Sequence, residues 1–198
     1  MFFDQMNARF EDVPTDGGIA TEPFLDACAA LVPIFDALGS TAFAPIKSDI
    51  NGNIKKLRGW HEKDPAGTAT LEGMVTKEID AKTTTASGSA TDALLWLKRA
   101  LSFISVFLRE LVAGAEPATA ATTAYGETLR KYHNFLVRGI FSVAMRACPT
   151  RKKLMDTLAG DSGADDAGVV ERIRQFQTSF DPQLAQIDAF YQKNALDN

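Results

Sequence analysis

The run from Ser89 to Ala113 constrains this chain more than any other stretch. Leu94, Leu95, Leu97, Leu101, Phe103, Ile104, Val106, Phe107, Leu108 and Leu111 fall on nearly every side of a helix. A helix that is apolar almost all round has to be wrapped by other elements, so this one reads as central and buried. Ser89, with Asp92 three residues later, gives it a start signal of the capping-box kind, Asp standing in for Glu. Trp96, Phe103 and Phe107 share one stripe, at i, i+7 and i+11.

The wrapping elements read as helices too. Residues 1–20 carry Phe2, Phe3, Met6 and Phe10, a partly packed lead-in that ends in a loop at Pro14, Gly17 and Gly18. Thr21 and Pro23 open a helix over about 22–38, kinked by Pro33 and ended by Gly39 and Ser40. A second helix runs to about Trp60, and a third covers about 69–82. Beyond the central helix, one long helix is expected over about 119–147, with Tyr125, Leu129, Tyr132, His133, Leu136, Val137, Ile140, Phe141 and Val143 packed. Pro149 stops it, and Thr150 caps a short basic helix, Arg151 to Leu158. The last helix spans about 168–195, and Asp181–Pro182 either kinks or restarts it. No period-2 pattern and no internal repeat is visible. The expected fold is all-α, a single domain over residues 1–198 built of about eight helices.

Composition narrows the function classes. A formal net charge of −4 argues against a nucleic-acid binder. Thirteen Phe against three Tyr suggests a large apolar interior with room for a guest. Two cysteines, Cys28 and Cys148, are too few for a disulfide framework and fit a reducing compartment. No segment reaches the roughly 18 consecutive apolar residues of a membrane span, and the acidic start does not resemble a signal peptide. The expectation is a cytoplasmic protein, monomeric, with at most peripheral membrane contact. Enzyme chemistry lacks its parts: His61 and His133 are the only histidines, no cysteine pair has zinc spacing, and there is no phosphate loop or nucleophile elbow. No metal and no cofactor is implied.

One polar stripe stands out. Asp49, Asn53 and Lys56 fall at i, i+4 and i+7 of the second helix, with Ile50, Ile54 and Leu57 on the neighbouring stripe. A carboxylate, an amide and an ammonium together supply both acceptors and donors. Such a stripe suits a polyhydroxylated or amide-bearing head, and equally a solvated face.

Three segments decide between these readings: Asp49 to Lys56; Leu94, Leu95, Trp96, Leu97, Lys98, Arg99; and Lys131, Tyr132, His133 with Phe135 and Val137 after it. With Phe35, Asp36, Leu38, Gly39, Ser40 and the basic turn at Pro149, the chain resembles the glycolipid transfer protein family from about residue 24 to 195. The resemblance implies a two-layer helical sandwich that carries one glycosphingolipid between membranes without vesicles or ATP. It implies that Asp49 accepts from the ceramide amide and a sugar hydroxyl, and that Asn53 and Lys56 bond the sugar ring. It further implies that Trp96 stacks under the sugar and His133 donates to the amide carbonyl. Asp92 is an added candidate for sugar contact. Lys55 is open to share the role of Lys56, and Trp96 on its own would read as core.

The acyl chains are expected in an apolar tunnel, with Phe35, Leu38, Phe43, Phe103, Phe107, Phe141, Phe176 and Phe180 as candidate lining. Trp60, Phe135, Arg138, Lys152 and Lys153 are candidates for a membrane-docking patch. The family's branch for ceramide-1-phosphate has arginines where this chain has Asp92 and Trp96, which favours a sugar head. Relatives of the animal type carry a tyrosine-bearing tail past the point where this sequence reads Leu196, Asp197, Asn198, so a fungal-like end is expected. The competing functions are a sphingolipid sensor, a ceramide-1-phosphate carrier and an interaction domain without ligand.

Overall fold

The computed structural model describes residues 1–197; Asn198 and the side chain of Ser40 lie outside the described residues. Eight α-helices follow one another among those residues: α1 (Thr21–Leu31), α2 (Ile34–Lys63), α3 (Leu71–Ala81), α4 (Ala90–Val112), α5 (Pro117–Thr128), α6 (Phe135–Arg146), α7 (Arg151–Ala159) and α8 (Asp166–Lys193). The only β-type pairing among them is an isolated bridge between Ala20 and Thr70.

The central helix is where its apolarity places it. α4 packs against α2, α3, α5 and α8. Its start is fixed twice. Ser89 Oγ accepts from Asp92 N at 3.0 Å, as the cap signal predicts. The reciprocal arm does not come from Asp92. The buried Glu78 of α3 accepts from Ala90 N at 2.9 Å and from Thr91 N and Oγ1 at 2.7 and 2.6 Å. A carboxylate on orphan N–H groups at a helix N-terminus is held by hydrogen bonds and by the helix dipole together. Asp92 is thereby released from capping and stays exposed.

α8 runs antiparallel along α4 through three polar rungs. Tyr191 donates to Thr91 O at 2.8 Å, Lys98 pairs with Asp188 at 2.7 Å, and Ser105 donates to Asp181 at 2.7 Å. The rungs recur every seven residues on α4, two helical turns apart, so they keep to one seam. Asp181 is therefore a rung and not a cap, and α8 continues through Pro182 as one helix.

Two expected boundaries move and one holds. Pro33 separates α1 from α2 instead of kinking one helix, because the chain already turns at Val32 and Pro33. Gly39 ends a helical run as expected: at φ 122° and ψ 94°, a conformation that costs a side-chain-bearing residue heavily, it divides α2 into two helical stretches across a kink. Asp36 and Lys47, on either side of that break, are joined by an ion pair of 2.6 Å. The long helix expected over 119–147 is two helices. A 3-10 turn at Arg130–Tyr132 and an extended His133 separate them, and Asn134 restarts the chain by accepting from Val137 N.

The lead-in is core, not fringe. Phe3 and Phe10 are buried against Phe176 and Phe180, with ring centroids 4.6 Å (Phe3–Phe176) and 4.7 Å (Phe10–Phe180) apart. Gln183 donates to Phe10 O at 2.6 Å, and Arg172 pairs with Asp4 at 2.5 Å.

Candidate functional site

Asp49, Asn53 and Lys56 of α2, Asp92 and Trp96 of α4, and His133 from the turn between α5 and α6 line one cleft of about 510 Å³. Each arrives by a local rule. The i, i+4, i+7 spacing aims the α2 residues to one side, while Ile50, Ile54 and Leu57 bury the other. Asp92 and Trp96 are one turn apart on α4. His133 reaches the cleft because the backbone leaves the helix there, at φ −95° and ψ 135°.

The α2 residues form a relay. Lys56 Nζ donates to Asn53 Oδ1 at 3.5 Å, and Asn53 Nδ2 donates to Asp49 Oδ2 at 3.3 Å. Both bonds are long, and Asn53 is buried while Asp49 and Lys56 are exposed. Lys55 is exposed and does not line the cleft, so the choice left open in the sequence falls on Lys56. Burial raises the Asp49 pKa, Lys56 pulls it down, and the Asp92 carboxylate adds to the rise.

Trp96 is half-buried and is not plain core. Its indole lies nearly parallel to the His133 ring, at 14° with centroids 5.9 Å apart. Arg99 backs it, its Cζ 5.1 Å from the Trp96 centroid and 3.4 Å from that of Tyr132. Arg99 in turn pairs with Asp197 at 3.3 Å. The Tyr125 hydroxyl lies 3.2 Å from His133 Nδ1. With that hydroxyl donating, Nδ1 accepts and Nε2 carries the ring proton, free to donate to a ligand. Burial, then Arg138 and Arg99, lowers the His133 pKa and favours this neutral ring.

The floor and one rim of the cleft are apolar: Ile46, Ala100, Leu129, Val137, Ile140 and Phe141. Of the tunnel candidates, only Phe141 reaches it. Phe103 lies behind, 6.4 Å from both Phe141 and Phe107. Phe35, Leu38 and Phe43 are buried in the first part of α2, where the Phe35 and Phe43 rings are 5.8 Å apart. Phe176 and Phe180 sit with the lead-in phenylalanines and do not line the cleft, because Phe3 and Phe10 occupy their faces.

α6 corrects the expectation that Leu136, Ile140 and Val143 are packed: they are 73%, 39% and 64% exposed. Phe135, a docking candidate, is 92% exposed. Together they form an apolar ridge beside the cleft, with Arg138 exposed on the same helix and Lys152 and Lys153 exposed on α7. Trp60 is not part of that ridge. It lies at the far end of α2, donating to Gly88 O at 3.1 Å and lining a separate hollow with Met74 and Lys77. A larger surface hollow of about 680 Å³ beside the lead-in holds Asp26 and Arg58. Those two charges satisfy each other at 2.5 Å, so that hollow offers a ligand little to bind.

Sequence reasoning passed over Tyr125, Tyr132 and Leu129 as site residues, and gave Asn134 no role. The signal for the last was available: Asn before an apolar run is a helix start. No group of three or more His, Cys, Asp or Glu side chains suited to a metal occurs among the described residues.

Comparison with known proteins gives a consistent answer. Residues 19–160 match the family model described as Glycolipid transfer protein (GLTP). A glycolipid transfer protein of Aureobasidium melanogenum is 45% identical over 163 residues, covering 81% of this chain and 79% of that protein. Pleckstrin homology domain-containing family A member 8 of Danio rerio is 38% identical over 205 residues. That match takes in 100% of this chain but 37% of the relative, so the chain spans about two fifths of that relative's length. The solved structure of FAPP2, described by how it selects simple glycosphingolipids using the GLTP-fold, superposes with a TM-score of 0.91 at 38% identity. That superposition covers 100% of this chain and 97% of the other.

Proposed function

The chain belongs to the glycolipid transfer protein family, and from that premise we propose that it binds one glycosylceramide and carries it between membranes. Proteins of this family are lipid transfer proteins, not enzymes. The observation that carries the proposal is the make-up of the cleft. An acid–amide–amine relay, an indole and a neutral imidazole meet over an apolar floor that leads toward Phe103.

A sugar has an apolar face that stacks on indole and a hydroxyl rim that needs donors and acceptors. Trp96 takes the face; Asn53 and Lys56 take the rim. A ceramide amide needs one acceptor and one donor, which Asp49 and His133 Nε2 supply. Each bond contributes about 0.5–1.5 kcal/mol, so the head group selects. The chains supply affinity, at about 0.8 kcal/mol per buried methylene. The bilayer offers the same burial, so the lipid gains little net free energy by moving either way, as a carrier requires. The chains enter past Phe141 toward Phe103 and Phe107, which part to admit them.

The exposed ridge of α6 supports docking of the cleft mouth against a membrane surface. No helix among the described residues is long and apolar enough to cross a membrane. A ceramide-1-phosphate reading asks for cations at positions 92 and 96, where this chain has Asp92 and Trp96. Transfer of labelled galactosylceramide from donor to acceptor vesicles tests the proposal. Protein-dependent transfer supports it; binding of the lipid with no transfer refutes the carrier role and leaves a sensor.

A further inference from the structure

We infer that Tyr125 is a positioning residue for the cleft: through His133 Nδ1 it holds the imidazole in one pose and one tautomer, with an Nε2–H donor turned toward the ligand. The inference rests on the glycolipid reading above and adds to it a residue that does not itself line the cleft.

His133 stands between the 3-10 turn and α6, outside any helix, so its pose is set by what its ring touches. Trp96 lies nearly parallel to the imidazole, at 14° and 5.9 Å, and Phe141 meets it at 47° and 4.9 Å. Contacts with flat rings fix the plane of an imidazole. They do not tell its nitrogen edge from its carbon edge. A half-turn about χ2 keeps the plane and swaps Nδ1 with Cδ2 and Nε2 with Cε1, and hydrogen bonds are what separate the two poses.

Tyr125 supplies that bond. Its hydroxyl lies 3.2 Å from His133 Nδ1 and has no other hydrogen-bond partner among the described residues. The side chain is buried, and its ring is stacked on Phe141 with centroids 4.5 Å apart at 15°, so the hydroxyl has a fixed place. Burial raises the phenol pKa, and the hydroxyl keeps its proton. A buried O–H needs an acceptor, and Nδ1 is the one in reach. Nδ1 is therefore bare and Nε2 carries the ring proton. Because Nδ1 faces the buried phenol, Nε2 lies on the far side of the ring, the side that His133 presents to the cleft. Packing against Phe141 asks for a ring at position 125 but not for a hydroxyl, so Tyr125→Phe separates the two roles.

Two measurements on the full chain test this, the first without lipid. Nitrogen NMR of isotope-labelled protein at about pH 8, above the ordinary histidine range, reads each imidazole nitrogen. The His133 signals are identified by their loss in His133→Leu. The unmodified chain is expected to show a bare, hydrogen-bonded Nδ1 and a protonated Nε2, and Tyr125→Phe a mixture of tautomers. The second measurement is the affinity for short-chain galactosylceramide, read by quenching of Trp96 emission in a Trp60→Phe background. Tyr125→Phe is expected to weaken binding about fivefold, the worth of one hydrogen bond. With His133 already replaced by Leu, the same change is expected to cost less than about twofold. A tyrosine that only packs would cost the same in both backgrounds. Thermal melting followed by circular dichroism checks that each variant is folded. A protonated Nδ1 in the unmodified chain, unchanged His133 signals in folded Tyr125→Phe, or an equal loss of affinity with and without His133 overturns the inference. If Tyr125→Phe does not fold, the unmodified chain decides: a bare Nδ1 sustains the inference and a protonated one ends it. If the unmodified chain binds no galactosylceramide, the carrier reading fails separately, and the nitrogen signals alone decide the role of Tyr125.

Discussion

Trp96, Asp49 and His133 are chemically ordinary residues whose value lies in convergence. Trp96 is only half-buried, so Trp96→Ala forfeits less than the roughly 3–5 kcal/mol that a fully buried aromatic contributes. The variant should therefore fold and fail to transfer galactosylceramide; retained transfer would remove the indole from the head-group site. His133 makes a second prediction, about pH. Its folded pKa lies below the ordinary value, chiefly through burial, so the unfolded chain holds the extra proton. Stability therefore falls as pH drops below about 6.5 toward the folded value, and the contribution is fully present above it. Melting curves between about pH 7.5 and 5.5 should show a steeper loss for the unmodified chain than for His133→Gln. Parallel curves would contradict the neutral, Tyr125-bonded ring.

At the scale of elements, α4 was plain in the sequence because no other arrangement hides an all-apolar helix. Asp49, Asn53 and Lys56 were legible as one stripe because α2 is regular over that stretch. The break between α5 and α6 was not, because apolar residues keep helical spacing straight across it. Leu129, Leu136 and Ile140 look continuous, yet Leu136 faces solvent. Periodicity locates a stripe and does not say whether that stripe meets protein or membrane. The cap at Asn134 was the better signal, and its loss has a cost: Asn134→Ala should lower stability by about 1 kcal/mol in a denaturant titration. Because Asn134 follows His133, the same change should also weaken galactosylceramide binding, whereas unaltered binding would mean that the imidazole is held from elsewhere. Gly39 is the other element-scale device. Gly39→Ala forces a side chain into φ 122° and should cost more than about 1 kcal/mol, and a neutral outcome would show that the α2 break can relax.

The whole molecule is held by contacts the sequence hides. Lead-in and α8 meet across the length of the chain, and nothing in either segment names the other. Phe176 and Phe180 consequently read as tunnel candidates, although Phe3 and Phe10 cover them. Phe10→Ala should cost about 3–5 kcal/mol, a core-sized loss that a loose lead-in would not show. The cleft is likewise a global product, since α2, α4 and the turn before α6 bring its parts from positions 49 to 133. The family resemblance tied those segments together where spacing alone left Trp96 as core and His133 without a role. The central claim is that this assembled cleft reads a glycosylated ceramide. The most direct measurement is competitive transfer between vesicles of galactosylceramide and ceramide-1-phosphate on matched chains. Preferential movement of the galactosyl lipid, lost in Asp49→Val and Trp96→Ala variants that still fold, is the predicted result; faster movement of the phosphorylated lipid would contradict it.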